Sequence, residues 1–386
     1  MEGGPISEMT RNDQPATDDR SSEPRAGTHS DTASTGQSTA NQDDVVTLAH
    51  GAGGEAMRSL VDTLAVSRFA DGSSADTAGA VGLAALDDGS VHPLPGTDIS
   101  IVLTTDSHIV TPPTFPGGDI GRLSVAGTVN DLAVMGVTDP LALTCGLVVE
   151  EGTPTAELDR FLESMRESAV EAGVDITTGD TKVMGAGELD GIVLNTTGVG
   201  TIPTSEVVTG AGLSPGDAIV LSGTVGDHGI ALLAEREGFD FGADLESDVA
   251  PINGLVAAAT DAGRVTAMTD PTRGGLATAL NEMAEKAGVG LEIEEQAIPV
   301  DDAIASAGEV LGIDPLSVAN EGKVVFGVHS DDADAVLAAL REQPLGSNAA
   351  IIGQVISDHP GRVVLDTGFG NRYLSEPTGE ALPRIC

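Results

Sequence analysis

The strongest constraint on the fold is an alternation that begins at Val45, where runs of β-branched residues start to alternate with helical patterns. The run ISIVLTTDSH predicts a buried strand, and DIGRLSVAGTVNDLAVMG predicts a helix capped by Asp119. Further strands are predicted at LALTCGLVVEE, DITTGDT and GIVLNTTGVGTI. This order predicts an α+β or mixed α/β fold, and periodicity alone does not choose between the two.

A second helix is predicted in TPTAELDRFLESMRESAVEAG, between two of these strands. Thr153 is its expected N-cap, Pro154 suits its first position and Gly173 ends it.

Composition divides the chain into four segments. Residues 1 to about 43 are rich in Ser, Thr, Asp, Gly and Gln with almost no large apolar side chains, which predicts a disordered tail. Glycine and proline become denser in GAGLSPGDAIVLSG, which places a domain boundary near Thr209. We therefore expect a disordered acidic tail over 1–43, an N-terminal domain over 44–208, a C-terminal domain over 209–374 and a mobile tail over 375–386.

The formal charge is −42, from 60 acidic and 18 basic residues in a chain of 386. Such a field repels nucleic-acid phosphates and anionic lipids, so neither nucleic acid nor membrane is expected as a partner. It also destabilises a compact state unless salt screens it, which favours a salt-adapted, halophilic protein. No apolar run approaches the roughly 20 residues of a membrane span, and the N-terminus lacks a signal-peptide pattern, so we expect a cytoplasmic protein.

Lysine and cysteine are both scarce. Lys182, Lys286 and Lys323 are the three lysines, and each becomes a candidate for a specific task, although Lys286 also fits a surface residue of a polar helix. Cys145 lies in an apolar run and Cys386 is the last residue. Two cysteines so placed do not form a disulfide framework or a zinc site, so reduced thiols are expected.

Carboxylates occur at predicted strand ends and in glycine turns in both halves of the chain. They are Asp87 and Asp88, Asp106, Asp131 beside Asn130, Asp180, Asp227 and Asp270. In a chain this acidic, any one of them is more often a surface charge. Clustered carboxylates without His or Cys partners suit a hard cation such as Mg²⁺, which in turn suits nucleoside triphosphates. No GxxxxGK[ST] loop occurs, so an ATP site here would be of a non-Walker type.

From about Val45 to Cys386 the chain contains, in order, the motifs TLAHGAGGEAM, TTDSHIVTPPTFPGGDIGRLSVAGTVNDLAVMG, TGDTKV, SGTVGDHG, DPTRGG, ANEGK and the terminal PRIC. Together these motifs resemble the HypE family of hydrogenase maturation proteins. That family belongs to the superfamily of aminoimidazole ribonucleotide synthetase, selenophosphate synthetase and thiamine monophosphate kinase. DPTRGG occurs more widely in the superfamily, whereas the full set with PRIC is specific. The resemblance implies the two-domain fold of aminoimidazole ribonucleotide synthetase.

The resemblance also implies a reaction in which the C-terminal cysteine is both substrate and carrier. A HypF-type carbamoyltransferase would load Cys386 with a carbamoyl group, and the chain would dehydrate it to a thiocyanate with ATP and Mg²⁺. The cyanide would then pass to iron on a HypC–HypD-type scaffold complex for a [NiFe]-hydrogenase. A homodimer is implied as well, with two N-terminal sheets joined across the subunit interface.

Site residues follow from the resemblance, position by position. The implied metal and phosphate ligands are Asp106, Asp131 and Asp270, with Asp88, or alternatively Asp87, as a less secure fourth. The implied nucleotide contacts are His50, Gly51, Gly53 and Gly54 in a glycine loop over the phosphates, Asn130, Asp180 and Arg273. Backbone N–H groups of such a loop could hold a phosphate, although helix-entry glycines are usually only turns.

The catalytic residues implied beside Cys386 are Lys182 and Glu321. Lys182 fits a residue near the reacting carbamoyl group. Glu321, in ANEGK, is the candidate base because apolar neighbours would raise its pKa. The alternative for Glu321 is an ordinary cap or ion-pair acid with Lys323 as its local partner. Asp227 and His228 would equally serve to cap the next helix.

Two other functions stay open at this stage. One is a different ATP-dependent enzyme of the superfamily, such as a selenophosphate synthetase or a small-molecule kinase. A selenophosphate synthetase usually has a reactive Cys or Sec in its glycine-rich N-terminal segment, and HGAGGEAM has none. The other is a non-catalytic scaffold that presents its tail to maturation partners. ATP turnover with a carbamoylated tail separates these hypotheses.

Overall fold

Helices and strands alternate along the chain in the computed structural model, which describes residues 45–51, 54–70, 77–239, 241 and 245–377. Helices α1 to α9 are Gly54–Val61, Ser67–Phe69, Ile120–Val134, Thr155–Ala172, Asp227–Glu237, Asn253–Ala262, Gly275–Ala287, Asp302–Leu311 and Ala333–Arg341. Strands β1 to β14 are Ser90–Pro93, Ile99–His108, Thr114–Phe115, Gly118–Asp119, Ala142–Glu150, Ile176–Met184, Ile192–Pro203, Ala218–Leu221, Val265–Thr269, Gly290–Glu294, Val325–Val328, Ala350–Ile356, Arg362–Asp366 and Asn371–Tyr373. The disordered tail expected over 1–43 and most of the tail expected over 375–386 lie outside the described residues.

The first sheet has five strands in the order β1-β2-β7-β5-β6. All neighbouring pairs are antiparallel except β5 and β6, which are parallel because α4 crosses between them. Buried and less buried residues alternate along β7, so one face of this sheet packs inward and the other stays open. Helices α3 and α4 lie on the inward face.

The second sheet has seven strands in the order β14-β13-β10-β12-β8-β11-β9. Its central strands are covered on both faces, as β8 shows. Ile219 and Leu221 pack into the cluster that contains α7, whereas Val220, between them, packs with α6 and α9. Because successive side chains of a strand point to opposite faces, helices must lie on both sides.

The two predicted helices begin and end close to the expected residues. The carboxylate of Asp119 accepts a hydrogen bond from the backbone N–H of Arg122 and caps α3, as predicted. For α4 the predicted N-cap is wrong: Pro154 holds that position in extended geometry, and Thr153 lies one residue outside. Gly173 ends α4 in the left-handed conformation with φ of 72°, as predicted.

Helix α3 is the element that joins the two sheets. It contacts β2 and β7 on one side and α4, α6 and β9 on the others, and 13 of its residues are buried. The predicted mixed α/β class is therefore confirmed. None of the helices in the described part of the chain has the length and apolar character needed to cross a membrane.

A candidate active site lined by carboxylates

A cavity of about 240 Å³ opens where β2 and α3 meet the loops that follow β9 and precede β11. Acidic residues dominate its wall. The lining residues are Asp87, Asp88, Thr104, Thr105, Asp106, Ser107, His108, Gly127, Asp131, Asp270, Thr272, Arg273 and Glu321. The cavity therefore gathers residues that are more than 200 positions apart in sequence.

Strand and helix periodicity explains how β2 and α3 supply their side chains. Thr104, Asp106 and His108 alternate along β2 and so share the face that packs against α3. Gly127 and Asp131 are four residues apart and share one face of α3. A Cβ at Gly127 would lie 2.8 Å from His108 Cε1, so this close approach of helix and strand requires glycine.

Three carboxylates form the centre of the cavity. Oxygens of Asp88, Asp131 and Asp270 all lie within 4.8 Å of one another, and Thr104 Oγ1 donates a hydrogen bond of 2.6 Å to Asp131 Oδ2. Asp270 Oδ2 is buried without a hydrogen-bond partner among the described residues. An all-oxygen donor set with an unpaired buried oxygen suits a hard cation such as Mg²⁺ better than it suits zinc or copper. Asp106 lines the same cavity outside this trio.

The three acids strongly perturb one another's ionisation. Burial, followed by repulsion from neighbouring acids, raises the pKa of Asp131 and of Asp270 well above the usual range. Burial also raises the pKa of Asp88 to about 7, although nearby Lys286 opposes the shift. A bound cation would offset this repulsion, so the electrostatics point to the same kind of ligand as the donor set.

Asp87, the alternative to Asp88 as a fourth metal ligand, is engaged by other groups of the protein. Lys286 Nζ lies 2.9 Å from Asp87 Oδ1, and the backbone N–H of Gly210 donates to the same oxygen. The Lys286 side chain is only 20% exposed. The interpretation of Lys286 as a surface residue is therefore wrong, and Asp88 is the member of the pair that joins the trio.

Glu321 lies deep in the cavity wall. It is 2% exposed, and its Oε1 has no hydrogen-bond partner among the described residues. Burial, followed by repulsion from Asp270 and Asp248, raises the pKa of Glu321 well above its usual range. Its backbone N–H donates 3.0 Å to Asp248 Oδ1, which fixes the turn that presents it.

The alternative that Lys323 pairs with Glu321 is wrong. Lys323 Nζ lies 2.9 Å from Asp248 and 3.2 Å from Asp227, in a network beneath the Glu321 turn. Asp227 does not cap α5, since Gly226 holds that position. His228 does not cap it either; its Nδ1 lies 2.8 Å from Ser247 Oγ.

Asn130 does not reach the cavity, contrary to the predicted nucleotide contact. Its amide nitrogen donates to the carbonyls of Ala250 and Glu321, and its amide oxygen accepts from the N–H of Ile252. Successive residues of a helix point about 100° apart, so Asn130 cannot face the cavity that Asp131 faces. Its amide instead ties α3 to the C-terminal half of the chain.

Asp180 and Lys182 lie outside the cavity of their own chain, and their predicted roles at the reaction stay predictions. They form a 2.5 Å ion pair on the exposed edge strand β6, with side chains 71% and 66% exposed. The register aligns Asp180 with Gly146, Asn195 and Ser107 across the sheet. Two strands therefore separate Asp180 from β2, a distance of about 14 Å at the usual strand spacing.

The described part of the predicted glycine loop faces other groups. His50 Nδ1 forms hydrogen bonds with Thr47. A Cβ at Gly51 would have no neighbour within 4 Å, and a Cβ at Gly54 would face Glu376. Gly53 lies outside the described residues. The predicted contact of this loop with phosphate therefore stays a prediction.

The sequence interpretation missed six of the lining residues, and two of these, His108 and Thr104, lie on the same face of β2 as Asp106. Burial lowers the pKa of His108, an effect that Asp106 opposes, and its Nε2 lies 3.2 Å from Thr196 Oγ1. Both could have been found, because they alternate with Asp106 along one predicted strand. Arg273, which was predicted, lines the cavity as the cationic side chain.

Comparisons with known proteins agree with this architecture. The family described as AIR synthase related protein, N-terminal domain, matches residues 86–202, and the corresponding C-terminal domain matches 214–366, together more than half of the chain. The carbamoyl dehydratase HypE of Cupriavidus necator is 47% identical over 345 residues, which are 88% of this chain and 95% of that protein. The chain belongs to the HypE family of carbamoyl dehydratases.

Solved HypE structures have the same fold. HypE in complex with ATP is 41% identical with a TM-score of 0.72, covering 89% of this chain and all of that one. A HypE–HypF complex gives 40% identity and a TM-score of 0.75, covering 82% of this chain and 99% of the matched one. The predicted HypE resemblance, the two-domain fold of the AIR synthase superfamily and the assignment to an ATP-dependent dehydratase family are confirmed. The predicted boundary near Thr209 stays a prediction.

Proposed function

We propose that this HypE-family chain uses ATP to dehydrate an S-carbamoyl group on its own Cys386 to a thiocyanate. One observation carries the proposal: the carboxylate trio and the unpaired Oε1 of Glu321 belong to the same small cavity. The carboxylate trio suits a metal-bound triphosphate, and Glu321 suits the removal of a proton. The named carbamoyl dehydratases and the HypE structure in complex with ATP support this function.

The reaction requires that the carbamoyl oxygen leave as phosphate. The γ-phosphoryl group of ATP moves to that oxygen and ADP is released, which turns a poor leaving group into a good one. The carbon–oxygen bond then breaks while the nitrogen loses its two protons, of which one ends on the released phosphate and the other, taken up by a base, ends in solvent. Each turnover thus converts one thiocarbamate and one ATP into thiocyanate, ADP and phosphate, with the oxygen retained in phosphate.

The described residues would divide this work. Asp88, Asp131 and Asp270 would hold Mg²⁺, with Asp106 beside them, and the bound ion would supply positive charge for the phosphates. Arg273 would contact a phosphate or carbonyl oxygen. Glu321 would accept a proton from the carbamoyl nitrogen, because a carboxylate with a raised pKa is a strong base once ionised.

Lys182 needs a second subunit if it is to act at this reaction. Strand β6 exposes nearly all its residues, and the open edge region of its sheet includes exposed Val183 and Leu141. Bare edges with apolar residues are usually covered by a partner. We propose a homodimer with this sheet at its interface, where Asp180 and Lys182 could approach the partner subunit's site.

Family membership supports the wider assignments, which belong to the same proposal. A HypF-type carbamoyltransferase would load Cys386, in line with the solved HypE–HypF complex. A HypC–HypD-type complex would receive the cyanide for the iron of a [NiFe]-hydrogenase in the cytoplasm.

The intact mass of the chain tests the central step of the proposed function. Incubation with the carbamoyltransferase and carbamoyl phosphate should add one carbamoyl group, and ATP should then remove one water; no loss of water would refute the proposal.

A further inference from the structure

Arg58, on α1, links two acidic residues that are far apart in the chain. Its Nη1 lies 2.7 Å from Glu282 Oε1 on α7, and its Nη2 lies 2.7 Å from Glu376 Oε1. The three side chains are only 26%, 28% and 18% exposed, respectively. Short charge-assisted bonds with little access for water are held more firmly than surface ion pairs. Arg58 therefore fastens the last described segment of the chain to the body of the protein.

Glu376 also lies against the beginning of α1. A Cβ at Gly54 would lie 3.2 Å from Glu376 Oε2 and 3.9 Å from the carbonyl oxygen of Pro377, and Gly54 has a φ of 70°. That Oε2 is buried and has no hydrogen-bond partner among the described residues. Glycine at this position permits the contact, and the positive end of the helix favours a carboxylate there.

Helix α7 connects this anchor to the cavity. Asn281 Nδ2 donates 3.0 Å to the carbonyl of Leu374, Glu282 holds Arg58, and one turn later Lys286 holds Asp87. Glu282 and Lys286 are separated by about 6 Å along the helix axis. The departure point of the C-terminal segment is thus one helical turn from the contact that positions Asp87, the neighbour of Asp88.

We propose that Arg58 is a positioning residue that fixes where the C-terminal segment leaves the protein body and so keeps Cys386 within reach of the cavity. The inference rests on the proposed function. Cys386 follows Pro377 by nine residues, which span at most about 30 Å even when fully extended. This length sets an upper limit on how far Cys386 can lie from the anchor, whatever conformation the nine residues adopt. Without the contact between Arg58 and Glu376, the last residue held to the protein body is Leu374, through Asn281. The stretch between the last held residue and Cys386 is then longer, and its starting point is less well defined.

Single-turnover dehydration of the pre-carbamoylated full chain tests the proposal. Arg58→Met and Glu376→Gln should each slow this step by about three- to tenfold, as expected for a weakened tether, while ATP affinity stays unchanged. The double variant should be no slower than the slower single variant, because both remove the same contact. Arg58→Lys, which keeps a cation, should be intermediate. The matched control is Arg68→Met, since Arg68 donates to the carbonyls of Thr63 and Leu64.

Charge reversal and hydrogen exchange supply readouts beyond lost stability. Arg58→Glu combined with Glu376→Arg should recover much of the rate that each reversal alone removes. Backbone exchange over 371–377 should be faster in Arg58→Met than in the wild type. Wild-type dehydration rates in Arg58→Met and Glu376→Gln, or a fall in ATP affinity that matches the fall in rate, would overturn the proposal. A different result would separate the two proposals. If hydrogen exchange were faster in Arg58→Met but the wild-type protein never dehydrated its tail, the anchoring role of Arg58 would be supported and the proposed function would be refuted.

Discussion

Lys286 holds Asp87 at 2.9 Å, and this ion pair assigns two adjacent carboxylates to different tasks. Asp87, with a side chain only 3% exposed, fastens the segment before β1 to α7. Asp88, the next residue, is left to face Asp131 and Asp270. The pair thereby determines which of the two acids can serve as a metal ligand.

Replacing members of the trio should weaken nucleotide binding without unfolding the protein. We expect Asp88→Asn and Asp131→Asn to lower the affinity for ATP in the presence of Mg²⁺ by about 10- to 100-fold, as is typical when a metal site is damaged. Asp87→Asn should lower the melting temperature instead, because it leaves the half-buried Lys286 without its charged partner. Calorimetry at high salt measures both effects, with Asp98→Asn at an exposed turn as the control. Unchanged affinity in the first two variants would show that the metal site lies elsewhere.

Glu321 should affect chemistry more than binding. Glu321→Gln keeps the shape of the side chain but cannot accept a proton, so dehydration of the carbamoylated tail should slow by about 10²–10⁴-fold. ATP affinity should change little. Rapid-quench mass spectrometry measures the rate, and Glu309→Gln, an exposed acid on α8, is the matched control. Dehydration at the wild-type rate in Glu321→Gln would exclude this residue as the base.

The metal-free protein should become less stable as pH rises from about 4 to above 7. The folded state keeps protons on Asp88, whose pKa is about 7, and on Asp131 and Asp270, whose pKa values are raised by burial. Unfolded aspartates ionise near pH 3.9. Between the unfolded and the folded pKa values, the folded state binds more protons than the unfolded state, so the free energy of unfolding falls as pH rises. The stability that these protonated carboxyl groups contribute is fully present only below about pH 4.

Urea unfolding with a chelator at molar salt measures this pH dependence. Asp131→Asn should flatten the slope because it removes one of the groups that titrate. Added Mg²⁺ should oppose the loss of stability above pH 7, where the ionised trio binds it best. An identical slope in the wild type and in Asp131→Asn would contradict the prediction.

Salt should stabilise the protein strongly. At −42 net charge the surface repels itself, and the Debye length falls from about 10 Å at 0.1 M to about 3 Å at 1 M salt. The melting temperature should therefore rise between these salt concentrations, and sucrose at matched osmolality is the control. A flat melting temperature would remove the case for salt adaptation.

The two cysteines should behave differently towards carbamoylation. Cys145 is half-buried on β5, and burial raises its pKa, which lowers the thiolate fraction. Cys145→Ser should therefore keep modification by the carbamoyltransferase, whereas Cys386→Ser should abolish it, since a serine hydroxyl is a far weaker nucleophile. A residue appended after Cys386 should also reduce dehydration. Peptide mass spectrometry locates the modified side chain, and a carbamoyl group on Cys145 would contradict the assignment.

Local periodicity was enough to predict much of one wall of the site. Strand β2 spans the residues of the predicted run, and its alternation places Thr104, Asp106 and His108 on one face. The same reasoning applied to α3 separates Asn130 from Asp131, because adjacent helical residues point in different directions. These two points could have been argued from the sequence, and attention to acidic residues alone missed them.

Sheet order is the information that local patterns lack. Asp106 and Asp180 both lie in threonine-rich strands, yet β7 and β5 stand between those strands and only Asp106 lines the cavity. Likewise, Lys323 pairs with Asp248, which is 75 residues distant, and not with its neighbour Glu321. Such pairings depend on long-range packing, which sequence spacing does not specify.

The lysine placements have a practical consequence for labelling. Lys286 and Lys323 have side chains 20% and 10% exposed, and both are engaged in ion pairs that raise their pKa. Lys182, at 66% exposed, is the remaining lysine of the sequence. In the single chain, an amine-reactive dye should therefore favour one lysine side chain, on strand β6, and the proposed homodimer should shield it. The native chain thus offers a fluorescent reporter at the open edge of its first sheet without any engineered cysteine.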